Sequence, residues 1–261
     1  MLESRKQEER DFHNRLEHDR RSMAVGEYDK RYTNLKYYAI TRKSAGVVHD
    51  WIRANCPGKT ALDYACGLGS TAILMAKNGA TAHGIDISDH AIKTASTIAA
   101  KAGVGENTRF SVMDAENLTF GDDVFDVAVC GAILHHLDTN QAFRELSRVM
   151  KKSGKILCIE ALGYNFLINL YRKMTPKIRT AWEPDHILTF RDIEIAKEYF
   201  GKIKIRYYHL FSILAVPFRN TPFFSPILTL LEAVDSVVLR IPYVQLLAWQ
   251  MIFELSEPRK R

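Results

Sequence analysis

Residues 60–71 read TALDYACGLGST, and within them one aspartate and two glycines could do chemistry: Asp63, Gly67 and Gly69, spaced Asp-x-x-x-Gly-x-Gly. The glycines free the backbone for positive φ and let it approach a ligand with no Cβ in the way. An apolar pair, Ala61-Leu62, leads in, and an apolar helix-like run over residues 72–76 leads out. A strand ending in a glycine-rich turn that feeds a helix is how an open α/β sheet offers its rim to a nucleoside ligand. The third glycine of a dinucleotide fingerprint is missing and no Lys-Ser/Thr follows, so a nicotinamide site and a phosphate-cradling P-loop both fit poorly.

Three further carboxylates and two imidazoles recur at sensible distances. Asp86 closes a second apolar run, TAHGIDI, where a carboxylate can accept from both hydroxyls of a ribose. Asp114 closes a third, FSVMDA, placed to accept from an exocyclic adenine amine. A fourth run, VFDVAVCG, leads into His135 and His136, and Glu160 ends a fifth, over residues 155–161. Histidine is the side chain best matched to base catalysis near neutral pH. His136 can serve as a base or as packing, and His135 as a positioning group. Glu160 can remove a proton, steady a cation or bond the backbone of the next loop. Two adjacent histidines at a strand end are not expected to face one ion, and no carboxylate triad is spaced for a metal, so none is expected.

Stepping outward, these residues need elements to hold them. Ser88 is a predicted N-cap, with Ala91, Ile92, Ala95, Ile98 and Ala99 as the apolar stripe of its helix. Residues 45–52 and 140–150 read as amphipathic helices. Regular strand–helix alternation demands a parallel sheet with helices on both faces, and ligands in such sheets sit outside the carboxyl ends of the strands.

The runs ALDYACGLGS, HGIDIS, SVMDAENLTF, FDVAVCGAILHHL and RELSRVMKKSGKILCIEAL together resemble, in order and spacing over about residues 58–162, the successive motifs of class I S-adenosylmethionine-dependent methyltransferases. The resemblance implies a Rossmann-like methyltransferase fold of the α/β class: seven mostly parallel strands, the last antiparallel, with helices on both faces. It implies S-adenosyl-L-methionine as cofactor. Carried over by position, Asp63, Ala65, Gly67 and Gly69 would lie at its methionine part, Asp86 and Ile87 at the ribose, Asp114 and Ala115 at the adenine, and Cys130 and Gly131 beside the sulfonium. Family members often fold the segment before the first strand over the cofactor as a lid. That makes Tyr28 a cofactor contact here and Tyr32 an acceptor contact. The insertion after the fifth strand commonly covers the acceptor, which adds Tyr164, Trp182 and His186 to His135.

The expected organisation is an N-terminal arm and lid over residues 1–55, a cofactor-binding core over 56–162, and the rest of the sheet over 163–261, with cap insertions at about 163–190 and 210–243. The second insertion is apolar, broken by Pro217, Pro222 and Pro226, and too charged to span a bilayer. It can cover a lipophilic acceptor, lie on a membrane surface or join subunits of a homo-oligomer. Residues 246–255 read as the last strand, and the densely charged residues 1–22 as a solvent-facing helix or arm. The chain's 261 residues carry a net charge of +6, with +7 from residue 151 onward and −1 before it. An anionic acceptor or membrane surface suits that excess. Scattered basic residues with no RNA-binding motif argue against nucleic acid. The start shows no apolar leader, and four cysteines without CxxC spacing fit free thiols in a reducing cytoplasm. The expected activity is methyl transfer to a small, lipophilic acceptor. C-methylation of an isoprenoid or prenyl diphosphate is the variant, and a non-methylating protein of the same fold the rival.

Overall fold

A computed structural model describes residues 2–180 and 182–260. Its centre is a seven-stranded sheet of order β3-β2-β1-β4-β5-β7-β6. The strands are β1 (Thr60–Tyr64), β2 (Thr81–Asp86), β3 (Thr108–Val112), β4 (Phe125–Gly131), β5 (Met150–Ala161), β6 (Phe200–Tyr208) and β7 (Gln250–Pro258). β7 runs antiparallel to both its neighbours, and the other six share one direction. This is the expected mostly parallel sheet with an antiparallel last strand.

Alternation along β1 and β4 sends successive side chains to opposite faces. Leu62, Tyr64, Ala128 and Cys130 join one apolar cluster, and Ala61, Val127 and Val129 join the other. Helices cover both. α3 (Arg42–Asn55), α4 (Ser70–Lys77), α5 (Asp89–Lys101), α6 (Thr139–Val149) and α8 (Phe190–Tyr199) are the helices of the alternating core. Short polar side chains start them. Ser88 Oγ accepts from Ala91 N, Asp138 accepts from the amides of Asn140 and Gln141, and Thr189 with Asp192 closes a reciprocal capping box.

The appended parts are α1 (Leu2–Ser22), α2 (Val25–Arg31), a 3-10 stretch Thr33–Ile40, α7 (Phe166–Met174) and α9 (Phe224–Val238). α9 is fixed by a third apolar cluster, in which Leu228 meets Ile40, Ala215 and Val216. Its only two acids turn inward. Glu232 pairs with Arg42 at 2.7 Å, and the Asp235 carboxylate accepts from the amides of Leu210, Phe211 and Ser212.

Two expectations shift. The last strand begins at Gln250, not at residue 246, because Val244–Leu247 is wound as a 3-10 turn and Trp249 only enters the sheet edge through its amide on His209 O. The charged helix α1 is not a free arm. Arg5, Glu9 and Glu17, recurring every four residues or multiples of four, are buried on one face and seat the helix on the rim of β2 and β3.

Candidate functional site

The turn after β1 carries three residues with positive φ: Ala65 at 61°, Gly67 at 50° and Gly69 at 76°. At Gly69 a Cβ would lie 2.7 Å from the Phe110 ring, so only glycine closes this turn onto the sheet. Gly67 N donates to Asp86 Oδ2 at 2.9 Å, and Ser88 N to Asp86 Oδ1 at 2.9 Å. Two turns are thus tied together by one carboxylate, which keeps its remaining lone pairs for a ligand. Asp114 Oδ1 accepts from Glu116 N at 2.9 Å, and the Tyr64 hydroxyl donates to the Ala115 carbonyl, fixing the turn after β3.

These turns enclose a cavity of about 170 Å3. Ala65, Gly67, Asp86, Ile87, Asp114, Ala115 and Gly131 all stand in its wall. At Gly67 and Gly131 a Cβ would meet nothing within 4 Å, so the space beside them is open for a ligand. Three expected cofactor residues lie outside the wall. Asp63 is buried under the turn, where its Oδ2 accepts from Ala72 N at 2.8 Å and anchors the start of α4; burial pushes its carboxyl up to about 7. Gly69 shapes the turn, and Cys130 packs in the core. Tyr28 faces a different cavity altogether.

The cofactor cavity is roofed by α1, which the sequence did not indicate as a lid. Arg5, Lys6, Glu9 and His13 all enter its wall. Lys6 Nζ sits 2.6 Å from Asp114 Oδ2 and 3.0 Å from Glu116, while Arg5 pairs with Glu116 and donates to the His136 carbonyl. Ser88 Oγ donates to Asn14 at 2.6 Å and Thr94 Oγ1 to Glu17 at 3.1 Å. The partners are over seventy residues away in sequence, so no local pattern names them; the four-residue recurrence of Arg5, Glu9, His13 and Glu17 was the available signal.

A second, larger cavity of about 830 Å3 adjoins the first and shares His13, Gly131, Ala132 and His136 with it. Its walls are mainly aromatic and aliphatic. Tyr28, Tyr32 and Tyr37 come from the N-terminal segment, Ile168 from α7, and Ile213 and Trp249 from the C-terminal part. Tyr37 packs edge-on against Tyr171 and Trp249, with ring centroids 5.3 and 6.2 Å away. The Tyr32 hydroxyl donates to Asp19 at 2.8 Å, and the phenol is held up to about 12 by burial and that carboxylate. Of the expected acceptor contacts, Tyr32 and His135 are in this wall. Tyr164 is not: its hydroxyl accepts from Phe190 N at the surface. Nor are Trp182 and His186, which stack on each other at 3.4 Å beneath the Arg5 guanidinium. Arg172, Arg179, Glu183 and Trp249 were missed because they become neighbours only when α7, the loop before α8 and the start of β7 converge.

At the junction of the cavities lies a carboxylate–imidazole pair. Glu160 is fully buried: Oε1 accepts from the amides of Ile133 and Leu134, each at 2.8 Å, and Oε2 lies 2.7 Å from His135 Nδ1. It faces protein on every side, so it positions His135 and the strand-end turn and does not itself meet an acceptor. A carboxylate only accepts, so Nδ1 carries the proton and Nε2 is the free base of a residue in the cavity wall. The base candidate therefore moves from Glu160 and His136 to His135. His136 is the less suited. Burial alone would lower its pKa, but Glu9 at 3.1 Å outweighs that and raises it, favouring the cation.

The sequence argument against a metal fails geometrically, since His135, His136 and Glu183 each bring one donor atom within 4.8 Å of the others. The chemistry is nevertheless that of closed pairs. Glu160 holds His135, Glu9 holds His136, and Arg179 holds Glu183. Among the described residues no helix is long and apolar enough to cross a membrane.

Comparison with known proteins agrees with this geometry. Residues 62–158 match a family model described as a methyltransferase domain. An uncharacterized methyltransferase of Bacillus subtilis is 37% identical over 100 residues, 38% of this chain and 39% of its own. A ubiquinone/menaquinone biosynthesis C-methyltransferase of Rickettsia massiliae is 35% identical over 106 residues, 38% of this chain and 43% of its own. The chain thus spans about four-tenths of the length of the curated relatives it matches. Among solved structures, the [4+2]-cyclase SpnF superposes with a TM-score of 0.54 at 18% identity, over 82% of each chain. The shared part is the sheet with its rim turns, and residues 62–158 are a domain of the class I S-adenosylmethionine-dependent methyltransferase family.

Proposed function

We propose that the chain, built on that methyltransferase domain, binds S-adenosyl-L-methionine in the smaller cavity and methylates a small acceptor with an apolar body in the larger one. One observation carries this reading: the two cavities meet at Gly131, Ala132 and His136, where the resemblance puts the sulfonium. When bound, the cofactor supplies an electrophilic methyl group that needs alignment and dryness more than covalent help. Asp86 is suited to the ribose hydroxyls and Asp114 to the adenine amine, as the resemblance implies. The aromatic wall excludes water from the acceptor side. His135, oriented by Glu160, is placed to take a proton from an alcohol or carbon acid.

C-methylation of an isoprenoid or prenyl diphosphate is the second reading. The phenol and indole faces of Tyr28, Tyr37 and Trp249 favour it, since they can steady a developing carbocation. Arg172 and Arg179 stand in the wall for such a ligand; Arg191 and His186, also considered for it, do not. Outward-facing Phe223, Leu230, Val234 and Val237 on α9 are exposed, which supports burial of that face against a membrane surface or a second copy of the chain. The four cysteines are free and buried, which fits a cytoplasmic setting.

The test is calorimetry with S-adenosylhomocysteine, followed by transfer of labelled methyl from S-adenosylmethionine to extracted lipophilic metabolites. Binding together with label in an organic-soluble product is the expected result. Binding without any transfer would move the reading to a non-methylating catalyst or scaffold, and failure to bind would end it.

A further inference from the structure

α7 carries a charge that the protein itself does not neutralise. Arg172 is 4% exposed, lies in the wall of the larger cavity, and makes one described hydrogen bond, from Nη1 to Asn169 Oδ1 at 2.7 Å. Asn169 is in turn held by donating to the Gly163 carbonyl at 2.6 Å, so the guanidinium is oriented by a neutral amide. A guanidinium has five N–H donors, and no carboxylate among the described residues is paired with this one. The nearby carboxylate, Glu183, is already bound by Arg179. Two guanidinium groups therefore share one carboxylate in the same wall. Burial, and then the Arg179 charge, pull the Arg172 pKa down to about 10, still far above neutrality. Elsewhere in the molecule buried arginines are matched: Arg5 by Glu116 and Arg179 by Glu183. A buried cation left without a counter-ion is costly, and a ligand anion relieves that cost.

We propose that Arg172, flanked by Arg179, is an oxyanion subsite of the larger cavity, and that the acceptor is an amphiphile: an apolar body along Tyr37, Ile168, Ile213 and Trp249 with a carboxylate or phosphate at the Arg172 end. The planar fork of a guanidinium matches either oxyanion in bidentate fashion. The inference rests on the larger cavity being the acceptor's, and it names the acceptor's charge, which the methyl-transfer reading leaves open.

The test uses octyl phosphate, octanoate and octanol as probes, with binding read by calorimetry on the full chain, and S-adenosylhomocysteine measured separately. Octyl phosphate or octanoate is expected to bind at least about thirtyfold more tightly than octanol, the span of one or two charge-assisted hydrogen bonds. The stronger of the two identifies the head group. Arg172→Met should bring all three probes within about threefold of each other while S-adenosylhomocysteine affinity stays the same, and its Tm should be unchanged or higher, since an unmatched buried charge has been removed. Equal binding of octanol and the anions by the unaltered protein overturns the proposal, whatever the variant does. So does a lower Tm for Arg172→Met with the anion preference intact, which marks a structural arginine. Arg172→Gln repeats the test if the methionine variant does not fold. Loss of S-adenosylhomocysteine binding in the unaltered protein would instead strike the methyl-transfer reading and leave the anion comparison standing.

Discussion

The smaller cavity is walled by turns and the larger one by helices, and the two differ in almost everything that follows from that. The turns after β1, β2, β3 and β4 sit at fixed places on one rim, held by backbone hydrogen bonds and by Asp86, Asp114 and Glu160 accepting from main-chain amides. The larger cavity is assembled from residues near 28–38, 131–136, 167–187, 213 and 249, held mostly by ring and aliphatic packing. A wall made of backbone gives one fixed geometry. A wall made of side chains on appended helices lets the acceptor's shape and charge vary while the cofactor's place does not. Glu160, under the seam, is where the contrast is easiest to break. Glu160→Ala removes the acceptor of two amides and one imidazole at once and leaves His135 without its partner. It should cost about 3–5 kcal/mol of stability, the range for breaking a buried charged pair. Chemical denaturation checks this, and a loss under 1 kcal/mol would mean the strand-end turn is held by packing alone.

Next in size is Asp86→Ala, which touches only the turn-built cavity. Asp86 fixes Gly67 and Ser88 and faces the cavity, so the variant should bind S-adenosylhomocysteine about 1–3 kcal/mol more weakly, the penalty for a lost charged hydrogen bond. Binding of octyl probes in the larger cavity should be unaffected. Equal weakening in both cavities would show that they are one continuous, coupled site.

A smaller effect sharpens the comparison through pH. α1 is joined to the seam by the Glu9–His136 pair, with His13, Glu160 and Glu183 also near His136. Burial works against both charges, but the mutual hydrogen bond outweighs it, lowering Glu9 and raising His136. A raised histidine contributes fully below its unfolded value near 6.5 and loses that contribution as pH rises through its folded value. A lowered carboxyl contributes fully above its unfolded value near 4.5 and loses it as pH falls through its folded value. Docking of α1 should therefore be firmest from about pH 4.5 to 6.5 and weaken by about 1 kcal/mol on the alkaline side, the difference between a charged and a neutral hydrogen bond. Hydrogen exchange of α1 amides across pH 6–9 measures it, and Glu9→Gln should flatten the profile.

The same contrast explains what the sequence disclosed. Strand order, the antiparallel last strand and seven cavity-wall residues from Ala65 to Gly131 were legible because each turn follows its own strand within a few residues, and the apolar runs are short and regularly spaced. Asp63 and Cys130 were read as contacts, although they support the rim from beneath; a motif position does not say which way its side chain points. Trp182 and His186 looked like acceptor groups because aromatic and basic types suggest a pocket, yet they stack on each other outside it. Arg172 and Trp249 could not be placed in one wall from spacing, since helix α7 and the start of β7 meet only in three dimensions.

The smallest expected effect separates two uses of α1. Lys6 Nζ lies on Asp114 Oδ2, the oxygen that the resemblance assigns to the adenine amine, and the cavity beneath α1 holds about 170 Å3, less than the roughly 300 Å3 at which ligand pockets begin. If the pair competes with the nucleoside, Lys6→Met should bind S-adenosylhomocysteine slightly more tightly, by less than about 1 kcal/mol, because the half-exposed ion pair is worth no more than that. Salt gives the sign an independent check. Screening weakens the Lys6–Asp114 attraction, so affinity in the unaltered protein should rise between 20 and 300 mM salt, about a twofold change, and the rise should vanish in Lys6→Met. Weaker binding by the variant, with affinity falling as salt is added, would mean that Lys6 holds the ligand in place. α1 would then belong with the fixed turns of the smaller cavity and not with the adaptable helices of the larger one.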